Sequence, residues 1–351
     1  MNLAEFFNEL KPAQATLISS VISALIALSV VGINRIQTNR KIRKEKYDAV
    51  KMYANPIVLA CEQLAWRLKE ILEFNGIYLL PDAPTNGFFK YKFDSSVYRL
   101  CAVIGWIYAA KKEQSYIQSL KFSHHKEIQS KIYQFQRTLA DGSHVEVSII
   151  DDLINLYDLQ QGDLSDQKKG LIGVELERIV FTYIPDNVKR NVKGLDKNDQ
   201  IKMVTEILDY LCDKTQQSKL DIDVIEKKVS IAVKEISREY CWIYRDWQSA
   251  IGEIMIEKIE NASRRFDVIG FPEFQQEHES NEWLKKVDGL FSSLDVSIDD
   301  RFDSRVQQLK QLFGNTVELI EVFKSLVKKQ ETILDKSYED LSRFKSEINE
   351  K

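Results

Sequence analysis

The chain lacks most of the short motifs that announce chemistry. It has no GxGxxG and no GxxxxGK[ST], so neither a Rossmann nor a P-loop phosphate cradle is expected. It has no GxSxG, so no serine nucleophile can be nominated. Histidine is scarce: His124, His125, His144 and His278, with no HxxxH or HExxH among them. Adjacent His124 and His125 point to different faces of a helix, which predicts surface histidines and no metal site. Cys61, Cys101, Cys212 and Cys241 are scattered with no CxxC, so buried free thiols are predicted. The acidic pairs Asp151-Asp152 and Asp299-Asp300 diverge on a helix and read as solvated or capping residues. With no catalytic residue and no cofactor motif to name, the chain is not expected to be an enzyme.

Charge of one sign is missing too. The 49 basic and 53 acidic residues leave a net charge of −4, which argues against general nucleic-acid binding and leaves room only for a local basic patch. Six prolines and thirteen glycines are few for 351 residues, and 29% of residues are charged. Together with long periodic segments, this predicts an all-α protein.

What the chain does have is one uncharged run, Ala13 to Ile33. As a helix rising ~1.5 Å per residue it is about 30 Å long, the thickness of a bilayer core. Arg35, Arg40, Lys41, Arg43, Lys44 and Lys46 follow it, whereas Glu5, Glu9 and Lys11 precede it. Basic residues stay on the cytoplasmic side, so the amino end is expected outside and the rest inside. A cleaved signal peptide fits poorly, because the leading segment is slightly acidic and no small-x-small site follows the run. Thr16, Ser20, Ser23 and Ala27 share one helical face, with Ser19 beside them; Leu17, Ile18, Val21, Ile22, Leu25, Ile26 and Leu28 occupy the other side. A small, hydroxylated face suits close helix packing or a water-lined pore. Hydroxyls that bond back to their own helix in a plain anchor give the same pattern. Lone anchor, conducting pore and packed oligomer all stay open.

The chain then divides into an interfacial segment (1–12), the span (13–33), a basic stalk (34–55), a helical cytosolic domain (56–300) and a heptad helix (301–351). Pro56 kinks the stalk helix or starts a new one. The stripe Ile57, Cys61, Leu64, Leu68, Ile71 and Leu72 predicts a helix stopping near Asn75-Gly76. Ser95-Ser96 is expected to cap the next helix, in which Gly105-Trp106 marks a close crossing. Further helices are predicted near 126–139, 165–183, 197–214, 222–262 and 279–294. Val145, Val147 and Ile149 alternate as in a strand, or begin a helix toward Leu159. Val306, Phe313, Ile320, Val327, Leu334, Leu341 and Ile348 fall at strict sevens, which predicts coiled-coil pairing with the stalk, another subunit or another protein.

Two stretches are candidates for function. In Arg238-Glu239-Tyr240-Cys241-Trp242-Ile243-Tyr244-Arg245-Asp246-Trp247, a helix would put Arg238 and Arg245 on one face near Trp242. Such a surface can stack a base and hold phosphate, with Lys189, Arg190 and Lys193 adding charge. A core helix with acid-paired arginines gives the same residues. A glycine inside a helix costs about 1 kcal/mol relative to Ala, so Gly252 predicts a tight backbone contact, with Glu253 as a buried partner for an arginine. Gly170 to Glu175 faintly echoes that run.

These pieces carry a resemblance. Pro56-Ile57 through Leu64, Arg67-Leu68, Ile71-Leu72, Trp106, Ala250 to Met255, Ile269-Gly270-Phe271, Glu273-Phe274, Trp283, Leu309, Leu312 and Leu319-Ile320 resemble a broad group of bacterial proteins with one amino-terminal span and a helical cytosolic domain. The likeness covers most of the chain outside 143–244 and implies a single-pass protein of the bacterial inner membrane, with no reaction attached. In architecture alone the chain is similar to the membrane component of Hailong-type antiphage systems, in which a helical sensing domain holds a pore shut. That likeness implies an oligomeric ion channel serving antiviral defence, contacting the lipid bilayer and answering to a protein or a nucleotide or oligonucleotide regulator. The alternative is a membrane-tethered scaffold or receptor that captures a partner through its carboxyl-terminal helix, with no pore.

Overall fold

The computed structural model describes residues 12–116, 123–162, 164–184, 192–260, 264–298, 302–326 and 334–350. Among them are thirteen α-helices and one two-stranded hairpin. The chain divides into two compact units, Met1–Met52 and Tyr53–Lys351.

The first unit carries the amino-terminal part of α1 (Pro12–Phe74). Within it, Ser19–Ile42 is long and apolar enough to cross a membrane, with a mean hydropathy of 1.7 and none of it buried. This segment starts six residues after the predicted Ala13 and ends nine residues past Ile33, inside the basic stalk, where the helix continues through Arg35 and Arg40 without a break.

The second unit begins at Tyr53. Pro56 lies inside α1 and neither ends it nor starts a new helix; its ring forfeits only the bond to the carbonyl four residues back. The apolar stripe does its predicted work: Ile57, Cys61, Leu64, Leu68 and Ile71 are fully buried. Asn75, with φ +48°, ends the helix in the left-handed region that Asn tolerates, and its amide bonds Asp295 at 2.8 Å.

Helix α2 (Gly87–Tyr116) starts well before Ser95-Ser96. The two serines are therefore interior and buried, and Ser96 donates to the Lys92 carbonyl (2.8 Å) instead of capping. Next come α3 (Ser123–Ala140), α4 (Ser143–Leu156), α5 (Asp166–Tyr183), α6 (Lys197–Thr215) and α7 (Ile222–Ile236). The alternating Val145-Val147-Ile149 begins α4: Ile149, Ile150, Leu153 and Ile154 form a helical face, and no partner strand exists among the described residues. Helices α4 to α7 close a core of their own from Val145 to Trp242. That core coincides with the stretch for which the sequence offered no resemblance.

The predicted helix 222–262 does not form. It divides into α7, an extended stretch, α8 (Arg245–Ile254) and β1 (Ile256–Lys258), which pairs antiparallel with β2 (Phe266–Val268). Three-residue strands are too short to show a period, so this hairpin left no sequence signal. Pro272 sits in the first turn of α9 (Phe271–Ser280), where its fixed φ suits a helix start rather than a stop. Two single turns follow, α10 (Glu282–Lys285) and α11 (Asp288–Phe291).

The heptad run occupies two helices, α12 (Ser304–Leu326) and α13 (Asp335–Glu350). Most of the described seam is covered within the chain, although Leu334 is exposed and Val327 lies outside the described residues. Leu309, Leu312, Phe313, Val317, Leu319 and Ile320 are buried, and α12 packs on α3 and α13. Phe344 meets Phe313 edge-on at 5.3 Å, and Trp66 of α1 donates to Ser337 at 2.9 Å. Glu318 of α12 is clamped at 2.7 Å by both Lys131 of α3 and Lys345 of α13. Partial burial opposes its charge, yet the two lysine bonds outweigh burial and hold its pKa below the ordinary 4.5. A depressed folded value stabilises the fold above pH 4.5 and loses that share as pH falls through it. Glu318→Gln is therefore expected to unfold at lower urea than the parent at neutral pH, with the gap closing as pH falls below the ordinary carboxylate range. A pH-independent gap would show that the clamp carries no charge effect.

Candidate functional site

The stretch joining α7 to α8 is extended because other elements hold its backbone. Glu239 N–H donates to the Phe302 carbonyl (3.1 Å), and Ser304 N–H donates to the Glu239 carbonyl (2.9 Å). Ile243 N–H reaches the Leu139 carbonyl (2.7 Å), and the Gln308 amide donates to the Cys241 carbonyl (2.9 Å). Tyr, Cys, Trp and Ile favour extended backbone, so local preference agrees. Arg238 starts the stretch and is buried. Its Nη2 donates to Asp152 of α4 (2.8 Å) and Glu235 of α7 (3.2 Å), and its Nη1 to Ser148 (3.1 Å). Trp242 is stacked on Tyr240 at 5.7 Å, with its indole pressed against Gly142.

This stretch forms one wall of a cleft of about 960 Å³. The end of α5 (Phe181, Ile184), Trp247 of α8, the lysines Lys285 and Lys286, and Asp288, Gly289, Ser292 and Ser293 line most of the rest. Tyr244 is half exposed and lies edge-on to Trp247, ring centres 4.9 Å apart. The Lys286 ammonium sits 4.1 Å from the Trp247 ring centre and 5.5 Å from that of Trp283, with no carboxylate within ion-pair distance among the described residues. Lys285 pairs with Glu282 (3.1 Å), and Asp288 is taken by His278 (2.7 Å). Arg305 closes the floor. It binds Asp303 through two nitrogens (2.9 and 2.7 Å) and the carbonyls of Gly289, Ser292 and Ser293. Burial pushes the Cys241 thiol up to about 12, so it stays protonated near neutral pH and is a poor nucleophile. The cleft thus offers aromatic faces and cations rather than an activated attacking group.

Of the sequence candidates, Arg238 and Trp242 come together here. Arg245 does not share their face, because the helix assumed for them is broken; its guanidinium lies over Tyr133 of α3, 4.5 Å from the ring centre. Lys189 and Arg190 lie outside the described residues, and Lys193 falls in a short 3-10 turn, Val192–Gly194. Gly252 meets its prediction: a Cβ there would lie 2.6 Å from Tyr108 Cβ, and across the same α2–α8 crossing a Cβ on Gly105 would lie 2.8 Å from Met255 Cβ. Glu253 is exposed rather than buried, and its partner is Lys112 (3.3 Å), not an arginine. At i+1 from Gly252 it turns away from the crossing. His278 is buried, bonded to Asp288 and stacked on Phe274, so it is not a surface histidine. Thr16, Ser19, Ser20, Ser23 and Ala27 lie on α1 with exposed side chains. Among the described residues no cluster of His, Cys, Asp or Glu is arranged to hold a metal.

Sequence reasoning assigned no site role to Lys286, Trp283, Arg305 or Gly142. Only Asp303-x-Arg305 carries a local signal, an acid and a cation two apart at a helix start. The others depend on elements far apart in the chain. No family model, curated protein or solved structure matches the chain.

Proposed function

We propose that the protein is an oligomeric, gated membrane effector of the bacterial inner membrane, held by one span with its amino end outside and controlled by its helical domain in the cytoplasm. The observation that supports this most is the Ser19–Ile42 segment, apolar and without a buried residue. Exposed apolar surface of that extent calls for lipid or further copies of the chain. Thr16, Ser20, Ser23 and Ala27 supply the face along which such helices pack closely or surround water. The basic residues from Arg35 to Lys46 support the orientation. A role in antiphage defence rests on the architectural likeness alone.

A plain anchor is the second reading, and one detail favours it. Ser20 donates to the Leu17 carbonyl and Ser29 to the Leu25 carbonyl, both at 2.8 Å. A hydroxyl satisfied within its own helix needs no neighbour. The discriminating experiment records conductance across planar bilayers and molar mass in mild detergent, for the parent and for Ser20→Leu with Ser23→Leu. The effector reading expects a defined oligomer whose conductance the leucines abolish. Unchanged conductance, or a monomeric silent parent, overturns the pore and leaves an anchored receptor.

A further inference from the structure

We infer that the cleft beside Arg238 and Lys286 binds a nucleoside phosphate, an anionic ligand that presents a planar ring. This rests on the reading of the helical domain as the receiver of a signal and names what it receives.

Three observations converge on that chemistry. Arg238 is 4% exposed and lines the cleft, and its Nε–H has no acceptor although both terminal nitrogens are paired. A buried donor left unpaired costs about 1–3 kcal/mol. Lys286, which also lines the cleft, is a cation held by ring faces rather than by an acid. Its charge is therefore not neutralised in place. Asp288, the nearest acid in sequence, is occupied by His278, and Arg305 spends all its donors on Asp303 and three carbonyls. Tyr244 is 51% exposed and meets Trp247 edge-on, which leaves a ring face open to stacking. A base stacked on an aromatic side chain gains about 1–3 kcal/mol. The volume of about 960 Å³ accommodates a nucleotide, near the upper end of typical ligand pockets. An inorganic anion uses the cations and leaves the rings idle. A neutral aromatic does the reverse and leaves the Lys286 charge without an anion.

The test titrates full-length protein in mild detergent with ATP, GTP, CTP and UTP separately, and with adenosine and inorganic phosphate as the two halves of the ligand. Binding is read by calorimetry and by quenching of tryptophan fluorescence. At least one nucleotide is expected to bind roughly tenfold or more tighter than either half. Lys286→Met and Tyr244→Ala are each expected to weaken it roughly tenfold with unchanged thermal unfolding, since neither side chain is buried. Absence of binding by all four nucleotides overturns the inference. So does binding that neither variant weakens, or phosphate alone binding as tightly. Nucleotide binding without any effect on conductance would overturn the gating role and keep the site; conductance in a protein that binds no nucleotide would do the opposite.

Discussion

Replacing Arg305 with Met is expected to destabilise the helical domain by about 3–5 kcal/mol, the cost of breaking a buried ion pair by removing one partner. Arg305 is 4% exposed and Asp303 is equally buried. Burial opposes the guanidinium charge, but the two bonds to Asp303 outweigh it, and the pKa is driven upward. The same side chain satisfies the carbonyls of Gly289 (2.8 Å), Ser292 (2.7 Å) and Ser293 (3.1 Å), which end α11. Met fills similar volume and donates nothing, so three acceptors and a carboxylate stay in the core without it. Urea unfolding of the full chain in detergent, followed by circular dichroism, measures the loss. Adding Asp303→Asn should return a large part of it, because much of the cost is the stranded charge. A loss below about 1 kcal/mol would mean that water replaces the guanidinium and that the clasp is not structural.

Gly142→Ala is expected to cost about 2–4 kcal/mol, combining overpacking with partial loss of a buried aromatic. An added Cβ would lie 2.2 to 2.5 Å from three atoms of the Trp242 indole. An indole is rigid and has no flexible end to swing aside, so the whole ring has to leave its place. It then loses its stacking on Tyr240 and its seat in the core of α4 to α7. The fall in unfolding temperature should come with a red shift in tryptophan emission. Gly170→Ala is the control: nothing lies within 4 Å of its added Cβ, and alanine in a helix gains up to about 1 kcal/mol. Equal destabilisation by the two changes would refute the steric account.

Helices with an apolar stripe could be read directly. Ile57 to Ile71 announces one buried face at a 3.6-residue period, and Asn75 supplies its stop. Gly252 was legible for a related reason: glycine in a helix carries a propensity cost, and a tight contact with Tyr108 explains it. The break in the predicted 222–262 helix was not legible, because the backbones of Phe302 and Leu139 and the side-chain amide of Gln308 decide it, and these lie roughly 60 to 105 positions away in the chain. The site suffered most from that error. An assumed helix placed Arg238 with Arg245, whereas the extended chain sends Arg245 to Tyr133 and leaves Arg238 lining a cleft with Trp247 and Lys286. The heptads show the same limit. Spacing reveals that a seam must be covered, but not that the run divides into α12 and α13 and that the cover comes from α3, α13 and Trp66.

By itself, then, the amino-acid order determined whatever depends on neighbours within a turn or two. That includes the helical class, the apolar segment long enough for a bilayer, the stripes that face inward, and the glycine at a crossing. Tertiary structure alone decided which stripe meets which, where the chain between α7 and α8 runs, and which cations remain without an acid. Those outcomes turn on burial and on hydrogen bonds between residues far apart in sequence, each worth a kilocalorie or more and together larger than the few tenths by which local propensities differ.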